Sequence, residues 1–289
     1  MTKGVAMTGV WSMHGKTVVI TGATSGIGEV AAIRPAEQGA RIVHVARDAG
    51  RAEATQAALR RANPAAGHAV HLADLSRLSE MKRVAREIAA AEPRIDVLID
   101  NAGALFNKRQ VTADGLEKTF ALNHMAYFIV TNILLPNIAD GGRIVVTASN
   151  AHRGAVLDFS DLQSERGYSG FSVYSRSKLM NILFTRALAR RLSRGITANA
   201  LHPGFVATRF GDQSGGMLSG VIRLIKPVGA IAPEDGARTI LYLASSPEIA
   251  GVSGEYFYEC KPQTPTVHAL NDADGERLWR VSEEIAARA

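Results

Sequence analysis

Tyr174 and Lys178 stand four positions apart in residues 171–192, a stretch whose apolar residues recur at three and four positions and which has no internal Gly or Pro. The pattern predicts one amphipathic helix. It puts the phenol and the ammonium one turn apart on the same face. A free phenol ionises near pH ~10, but a cation held beside it favours the phenolate and brings the proton within catalytic range near neutrality. The chemistry is proton donation to an oxygen, or removal from one. A surface Tyr beside a solvated Lys has the same spacing, so the pair gains meaning only from its neighbours.

Those neighbours sit at element boundaries. Lys16-Thr-Val-Val-Ile-Thr21 reads as a strand that ends in Gly22-Ala-Thr24-Ser25-Gly26-Ile27-Gly28, after which residues 29–38 read as helix. Glycines at such a turn let the backbone approach a pyrophosphate, and the helix amino end offers N–H donors and partial positive charge. The Gly-x-x-x-Gly-x-Gly spacing is not the commoner Gly-x-Gly-x-x-Gly, and a plain glycine-rich turn is the alternative. Pro35 predicts a kink or an early stop of the helix near Ile33. At the carboxyl end of the next strand, residues 41–46, an acid would accept a ribose 2′-OH and favour NAD, whereas a basic group would meet the extra phosphate of NADP. Ala46 holds the acid position and Arg47 follows, which favours NADP(H) over NAD(H); Asp48 pulls the other way.

Asp74-Leu75 follow a strand at residues 69–72, where an adenine could lie, and Asn101-Ala102-Gly103 follow the strand 95–99 and Asp100. Asn123 is a polar residue in an otherwise apolar turn of a helix predicted over residues 114–135. It reads as a buried amide bonded to backbone or as a group holding a water in a proton path. Ser149 stands at the end of the strand 142–148, where open α/β sheets place their ligands, and Pro203-Gly204 follow the strand 196–201.

Positioning these residues requires strands alternating with helices, and the remaining segments supply them. Residues 49–62, 76–91, 234–244 and 276–287 read as helices and 254–258 as a last strand. The rhythm indicates a doubly wound parallel α/β sheet with helices on both faces and no second domain. Residues 1–14 read as a flexible tail. Residues 205–232 read as a substrate loop or lid, with the apolar 217–225 segment closing over an apolar substrate, packing as an ordinary helix, or touching a membrane surface through Arg223 and Lys226.

Bulk properties narrow the class. The chain has 289 residues, 46% of them hydrophobic, enough for a sizeable core. Its net charge of +6, from 33 Lys and Arg against 27 Asp and Glu, is spread through helical stretches rather than gathered in a block, which argues against a nucleic-acid partner. The single cysteine, Cys260, leaves no intramolecular disulfide and no Cys cluster for zinc, and His68 and His71 have no ligand-like partners, so no metal site is expected. No apolar run is long enough for a transmembrane anchor, and the expectation is a cytoplasmic protein.

Taken in order, Thr21-Gly22-x-x-x-Gly26-x-Gly28, Asp74-Leu75, Asn101-Ala102-Gly103, Asn123, Ser149, Tyr174-x-x-x-Lys178 and Pro203-Gly204 closely resemble the short-chain dehydrogenase/reductase family. Arg143-Ile-Val-Val-Thr-Ala-Ser-Asn-Ala-His152, His202-Pro-Gly204 and Gly254-Glu-Tyr-Phe-Tyr-Glu-Cys-Lys261 are similar to its retinol-dehydrogenase-like branch. The resemblance implies a single Rossmann-type domain and an NAD(P)-dependent oxidoreductase. It implies that Tyr174 is the general acid/base, that Lys178 lowers its pKa and holds the nicotinamide ribose, that Ser149 bonds the substrate oxygen and that Asn123 positions a water leading from Lys178 to solvent. The cofactor would rest on Gly22, Thr24, Ser25, Gly26, Ile27, Gly28, Arg47, Asp74, Leu75, Asn101, Ala102, Gly103, Tyr174, Lys178, Pro203, Gly204, Val206 and Thr208. The substrate would be a small apolar carbonyl or alcohol, of retinoid, steroid or long-chain type, lined by Leu105, Phe106, Phe171, Phe205 and Phe210. Pairing into a homo-oligomer would use the helices at residues 114–135 and 171–192. Asp100 departs from the family's usual first Asn. A sugar-nucleotide epimerase or dehydratase, and a non-catalytic NAD(P)-binding regulator, are the rival functions. The first needs a longer substrate domain, and the second has no use for proton-transfer groups.

Overall fold

β-branched runs of four to six residues make the centre of the sheet. A computed structural model describes residues 12–204 and 231–288. Val206, Thr208, residues 205–230 of the expected substrate segment and residues 1–11 of the expected tail lie outside the described residues. β1 (Thr17–Thr21), β2 (Arg41–Ala46), β3 (Ala69–Leu72), β4 (Ile95–Asp100), β5 (Ile138–Thr147), β6 (Thr197–Leu201), β7 (Tyr256–Tyr258) and β8 (Lys261–Pro262) form one sheet in the order β3-β2-β1-β4-β5-β6-β7-β8. All neighbours are parallel except the short β7–β8 hairpin. The order reverses between β1 and β4, and the crevice beyond the carboxyl ends of such strands is where doubly wound sheets bind ligands.

Burial on both faces explains why the inner strands are nearly uninterrupted apolar runs. One face carries α1 (Gly26–Glu37), α2 (Ala49–Ala62) and α7 (Pro233–Ser245) over a core including Val18, Ile20, Ile42, Val97 and Ile99. The other carries α3 (Leu78–Ala91), α4 (Lys118–Phe120), α5 (Ala126–Leu134), α6 (Gly170–Ala189) and α8 (Asp272–Ala287) over Val19, Leu98, Ile144 and Val146.

Several boundaries differ from the sequence expectation. The helix predicted from residue 114 begins at Lys118, because Glu117 caps it by accepting the N–H groups of Thr119 and Phe120. It then passes through a π-helical turn, Ala121–Met125, before α5. β5 starts at Ile138 rather than residue 142, β8 was not anticipated, and α8 starts at Asp272, capped by Asn271.

Pro35 does not stop α1 near Ile33; the helix runs on to Glu37. Its position in the last turn explains why: it forfeits the single bond to Ala31, while its own carbonyl accepts the Gln38 and Ala40 N–H groups that close the helix. Pro35→Ala restores that bond and should stabilise the chain by about 1–3 kcal/mol, read as a higher denaturant midpoint at unchanged slope. A lower midpoint would show that the buried ring contributes more by packing than the bond it removes.

The faces through which pairing was expected are partly occupied within the chain. Trp279 of α8 packs edge-on against Phe128 of α5 at 5.0 Å between ring centres and stacks on Phe184 of α6 at 5.9 Å. His124 Nε2 lies 2.8 Å from Ser282 Oγ, and Arg186 and Arg190 pair with Asp272, Arg190 and Arg191 with Glu276. Among the described residues no helix is long and apolar enough to cross a membrane.

Candidate active site

The glycine turn is built to a tolerance that only glycine meets. Gly22 has φ of +72°, and a Cβ there would stand 2.8 Å from Ala102 Cα; a Cβ on Gly28 would stand 2.1 Å from the Gly22 carbonyl oxygen. β1 and β4 are thus drawn together where both end. Thr21 Oγ1 accepts the N–H groups of Asn101 and Ala102 at 3.0 and 3.1 Å, and Asn101 Nδ2 donates to the Gly22 carbonyl at 3.1 Å. Ser25, at the N-cap of α1, makes no side-chain cap bond, so the leading N–H groups of Gly26, Ile27 and Gly28 are available to an anion. This cradle, with Thr24 in the same turn, fits a dinucleotide pyrophosphate.

Arg47 lies exposed at the carboxyl end of β2, and among the described residues it makes no ion pair. Asp48 is taken up as the N-cap of α2, accepting the Arg51 N–H at 2.8 Å. The residue that argued for NAD thus has one carboxylate oxygen engaged by the helix. Asp74 accepts from the Ser76 N–H and hydroxyl at 3.0 and 2.8 Å, shaping the turn it shares with Leu75.

Lys178, Tyr174 and Ser149 adjoin this cradle. A Cβ on Gly103 would meet Asn123 Oδ1 at 3.2 Å and Lys178 Nζ at 3.5 Å, so Asn101-Ala102-Gly103 runs directly from the glycine turn to the lysine. Lys178 is buried, donates to the Thr147 carbonyl at 2.8 Å, and holds its nitrogen 5.6 Å from the Tyr127 ring centre and 5.7 Å from that of Tyr174. Tyr174 and Ser149 share a side-chain hydrogen bond. α6 therefore sets Tyr174 and Lys178 side by side, as its repeat predicted. Pro203 and Gly204 follow β6 at the same edge, with Gly204 at φ +84°.

The surroundings of Asn123 and of the Tyr174–Lys178 pair refine two expectations. Asn123 bonds Ala104 in both directions, accepting its N–H and donating to its carbonyl at 2.9 Å each, and also donates to Ser177 Oγ at 3.0 Å. Both amide hydrogens are spent on bracing two segments, which gives Asn123 a backbone-bonded role and leaves one Oδ1 lone pair for a water. Nor does Lys178 dominate the ionisation of Tyr174. Burial pushes the phenol up to about 12, opposed by the Ser149 hydrogen bond, and burial pulls the Lys178 ammonium down to about 7. Desolvation is the leading influence on both groups in the chain alone.

Thr147 and Ser177 escaped the sequence reading, because the first acts through a backbone carbonyl and the second is one serine among many. Among the described residues no cluster of three or more His, Cys, Asp or Glu could hold a metal ion.

Comparison with known proteins agrees with the fold. The short chain dehydrogenase family model matches residues 16–217. Retinol dehydrogenase 14 of Homo sapiens is 40% identical over 94% of this chain and 86% of its own length, and retinol dehydrogenase 12 of Homo sapiens 38% identical over 98% and 89%. A solved structure of an uncharacterised protein from Mycobacterium paratuberculosis superposes with a TM-score of 0.77 at 31% identity, covering 96% of this chain and 95% of that one. A short chain dehydrogenase from Burkholderia cenocepacia, solved in complex with NADP, gives 0.66 at 27% identity over 85% and 96%. The chain belongs to the short-chain dehydrogenase/reductase family. Within it, this enzyme falls in the retinol-dehydrogenase-like branch.

Proposed function

We propose that this enzyme transfers hydride between NADP(H) and the carbonyl or alcohol of a lipophilic substrate, with Tyr174 as the general acid/base. The observation that carries the reading is the continuity of the cleft: Ser149 bonded to Tyr174, Tyr174 beside Lys178, and Lys178 against Gly103 at the end of the glycine-lined cradle. The nicotinamide, when bound, supplies the hydride or accepts it. Tyr174 gives its proton to the substrate oxygen as charge develops there and recovers it in the reverse direction. Ser149 donates a hydrogen bond to the same oxygen, and Lys178, fixed by Thr147, holds the ribose side of the cofactor. On this reading residues 1–289 are one dinucleotide-binding domain in which residues 205–232, Val206 and Thr208 included, form the substrate and cofactor segment. The apolar substrate class is supported by the retinol dehydrogenase relatives and by Phe171, which opens α6 at 58% exposure; Leu105 and Phe106 are buried.

Arg47 is assigned the extra phosphate of NADP, because it is the exposed cation at the end of β2 and Asp48 is engaged as a cap. Arg47→Ala should weaken NADPH binding by about 10- to 100-fold, the worth of one or two charge-assisted bonds, and leave NADH affinity unchanged. Titration by cofactor fluorescence measures both, and an unaltered NADPH-to-NADH ratio would remove Arg47 from that role.

A further inference from the structure

Behind the acid/base pair lies a second, buried polar cluster that the mechanism does not use. His152 sits in the 3-10 turn Asn150–Gly154 that follows Ser149, Tyr256 is on β7, and His202 directly precedes Pro203-Gly204. All three are buried. The Tyr256 hydroxyl is 2.6 Å from His202 Nδ1 and 3.4 Å from His152 Nδ1, and His152 Nδ1 is 2.7 Å from the Ser149 carbonyl oxygen. The strand register makes the first contact: Ala200 pairs with Tyr256, so His202, two residues on, is on the same sheet face as the tyrosine. His202 also stacks on Tyr258 at 4.1 Å.

The protons of this cluster can be assigned. The Thr266 N–H can only donate, and it lies 3.4 Å from His152 Nε2, so a neutral His152 carries its hydrogen on Nδ1. That hydrogen is given to the Ser149 carbonyl and shared with the Tyr256 oxygen. Tyr256 then donates its own hydrogen to His202 Nδ1, which leaves the His202 hydrogen on Nε2. Burial disfavours the imidazolium in both rings, pulling His202 down to about 4 and lowering His152, so one tautomer of each is locked. Facing the cluster, the charge of Arg153 acts on His152, His202 and Tyr256, and Tyr258 covers His202.

We propose that His152 and Tyr256 are positioning residues for the reaction: they clamp the backbone of Ser149 so that its hydroxyl faces Tyr174, and they tie that clamp through His202 to the Pro203-Gly204 turn. The inference rests on the reading of Ser149 and Tyr174 as the reacting pair. Among the described residues, the side chain of Ser149 is otherwise held by the Ala151 N–H at 3.2 Å and by Tyr174. A rotation of its backbone would take the hydroxyl off the substrate oxygen without disturbing the cofactor cradle of β1 and β4.

The test is a set of steady-state and binding measurements on the full chain, with NADPH as cofactor and retinaldehyde and decanal as probe substrates. Tyr256→Phe and His152→Ala should each lower kcat about tenfold, with NADPH Kd within about twofold of wild type. His152→Asn, whose amide can donate from near the Nδ1 position, should recover most of that loss. In a Ser149→Ala background, Tyr256→Phe should cost nothing further, since the group it positions is gone. Losses that multiply in the double variant, or an unchanged kcat in both single variants, would overturn the proposal. If His152→Ala does not fold, Tyr256→Phe with and without Ser149→Ala decides the matter alone. Tyr174→Phe in the same assay separates the two levels: full turnover there sinks the reading of the site, whereas its loss beside a normal Tyr256→Phe sinks only the clamp.

Discussion

Tyr174→Phe should bind NADPH with wild-type affinity and lose about 10²- to 10⁴-fold in kcat, the range a positioned acid contributes. The phenyl ring keeps every packing contact of the tyrosine on α6, and the cradle at Gly22–Gly28 is anchored by Thr21 and Asn101, not by the phenol. Only the transferable proton disappears. The pH dependence has a definite sign. With burial holding the phenol near 12, the proton is present throughout pH 6–9, so carbonyl reduction by the wild type should not decline through Tyr174 ionisation over that range. Alcohol oxidation needs the base form, so its rate should climb with pH, by up to about tenfold per unit while pH remains below the pKa. An oxidation profile that is flat across pH 7–9 would mean that the phenol ionises far lower than its burial dictates.

Lys178→Met should be nearly inactive and yet more stable than the wild type at neutral pH. Methionine retains the unbranched stem within the buried site and removes the ammonium, so kcat should fall about 10²- to 10³-fold as the donor that holds the ribose side of the cofactor beside Tyr174 is lost. The Thr147 carbonyl keeps a donor in Asn181 Nδ2 at 3.2 Å, so no backbone acceptor is orphaned. The stability gain follows from linkage. Burial lowers the lysine from 10.5 to about 7, so between those values the unfolded chain binds the proton more readily than the folded one. Wild-type stability from this group therefore rises as pH climbs from about 7 to 10.5, and the cost of the buried cation is complete below 7. The advantage of Lys178→Met in denaturant midpoint should be greatest below pH 7 and narrow toward pH 10. A variant less stable than wild type at pH 6 would show that the ammonium is held by attractions stronger than its desolvation. The expected exchange of stability for activity is what a strained functional site predicts.

How far the sequence revealed this can be judged residue by residue. α2 was legible to both ends, since Asp48 caps it and its apolar positions keep helical spacing. The sheet was legible because β-branched runs recur between helices, and the Tyr174–Lys178 face because a 3.6-residue period fixes it. Local pattern failed where tertiary contacts decide. The β-branched run at residues 142–148 marked only the second half of β5, yet Ile138 pairs with Ile95 of β4 and extends the strand. The π turn around Asn123 adds a residue to a helix whose spacing otherwise looks regular, and Glu117 gives no capping signal until its carboxylate is seen folded onto Thr119 and Phe120. His152, His202 and Tyr256 marked the branch in sequence, but residues 104 positions apart in the chain show no relation until β7 is paired with β6. The lowering of Tyr174 by Lys178 was a pairwise inference; burial, which opposes it, is a property of the fold.

The measurement that bears most directly on the proposed function is titration of the purified enzyme with NADPH and, separately, with NADH, followed by addition of retinaldehyde and then decanal under single-turnover conditions. NADPH should bind more tightly than NADH, and at least one of the two aldehydes should oxidise the bound NADPH, with both the binding preference and the turnover measured on the same sample. Absence of binding by either cofactor, or binding without any oxidation by these aldehydes alongside unimpaired turnover in Tyr174→Phe on another carbonyl, would contradict it.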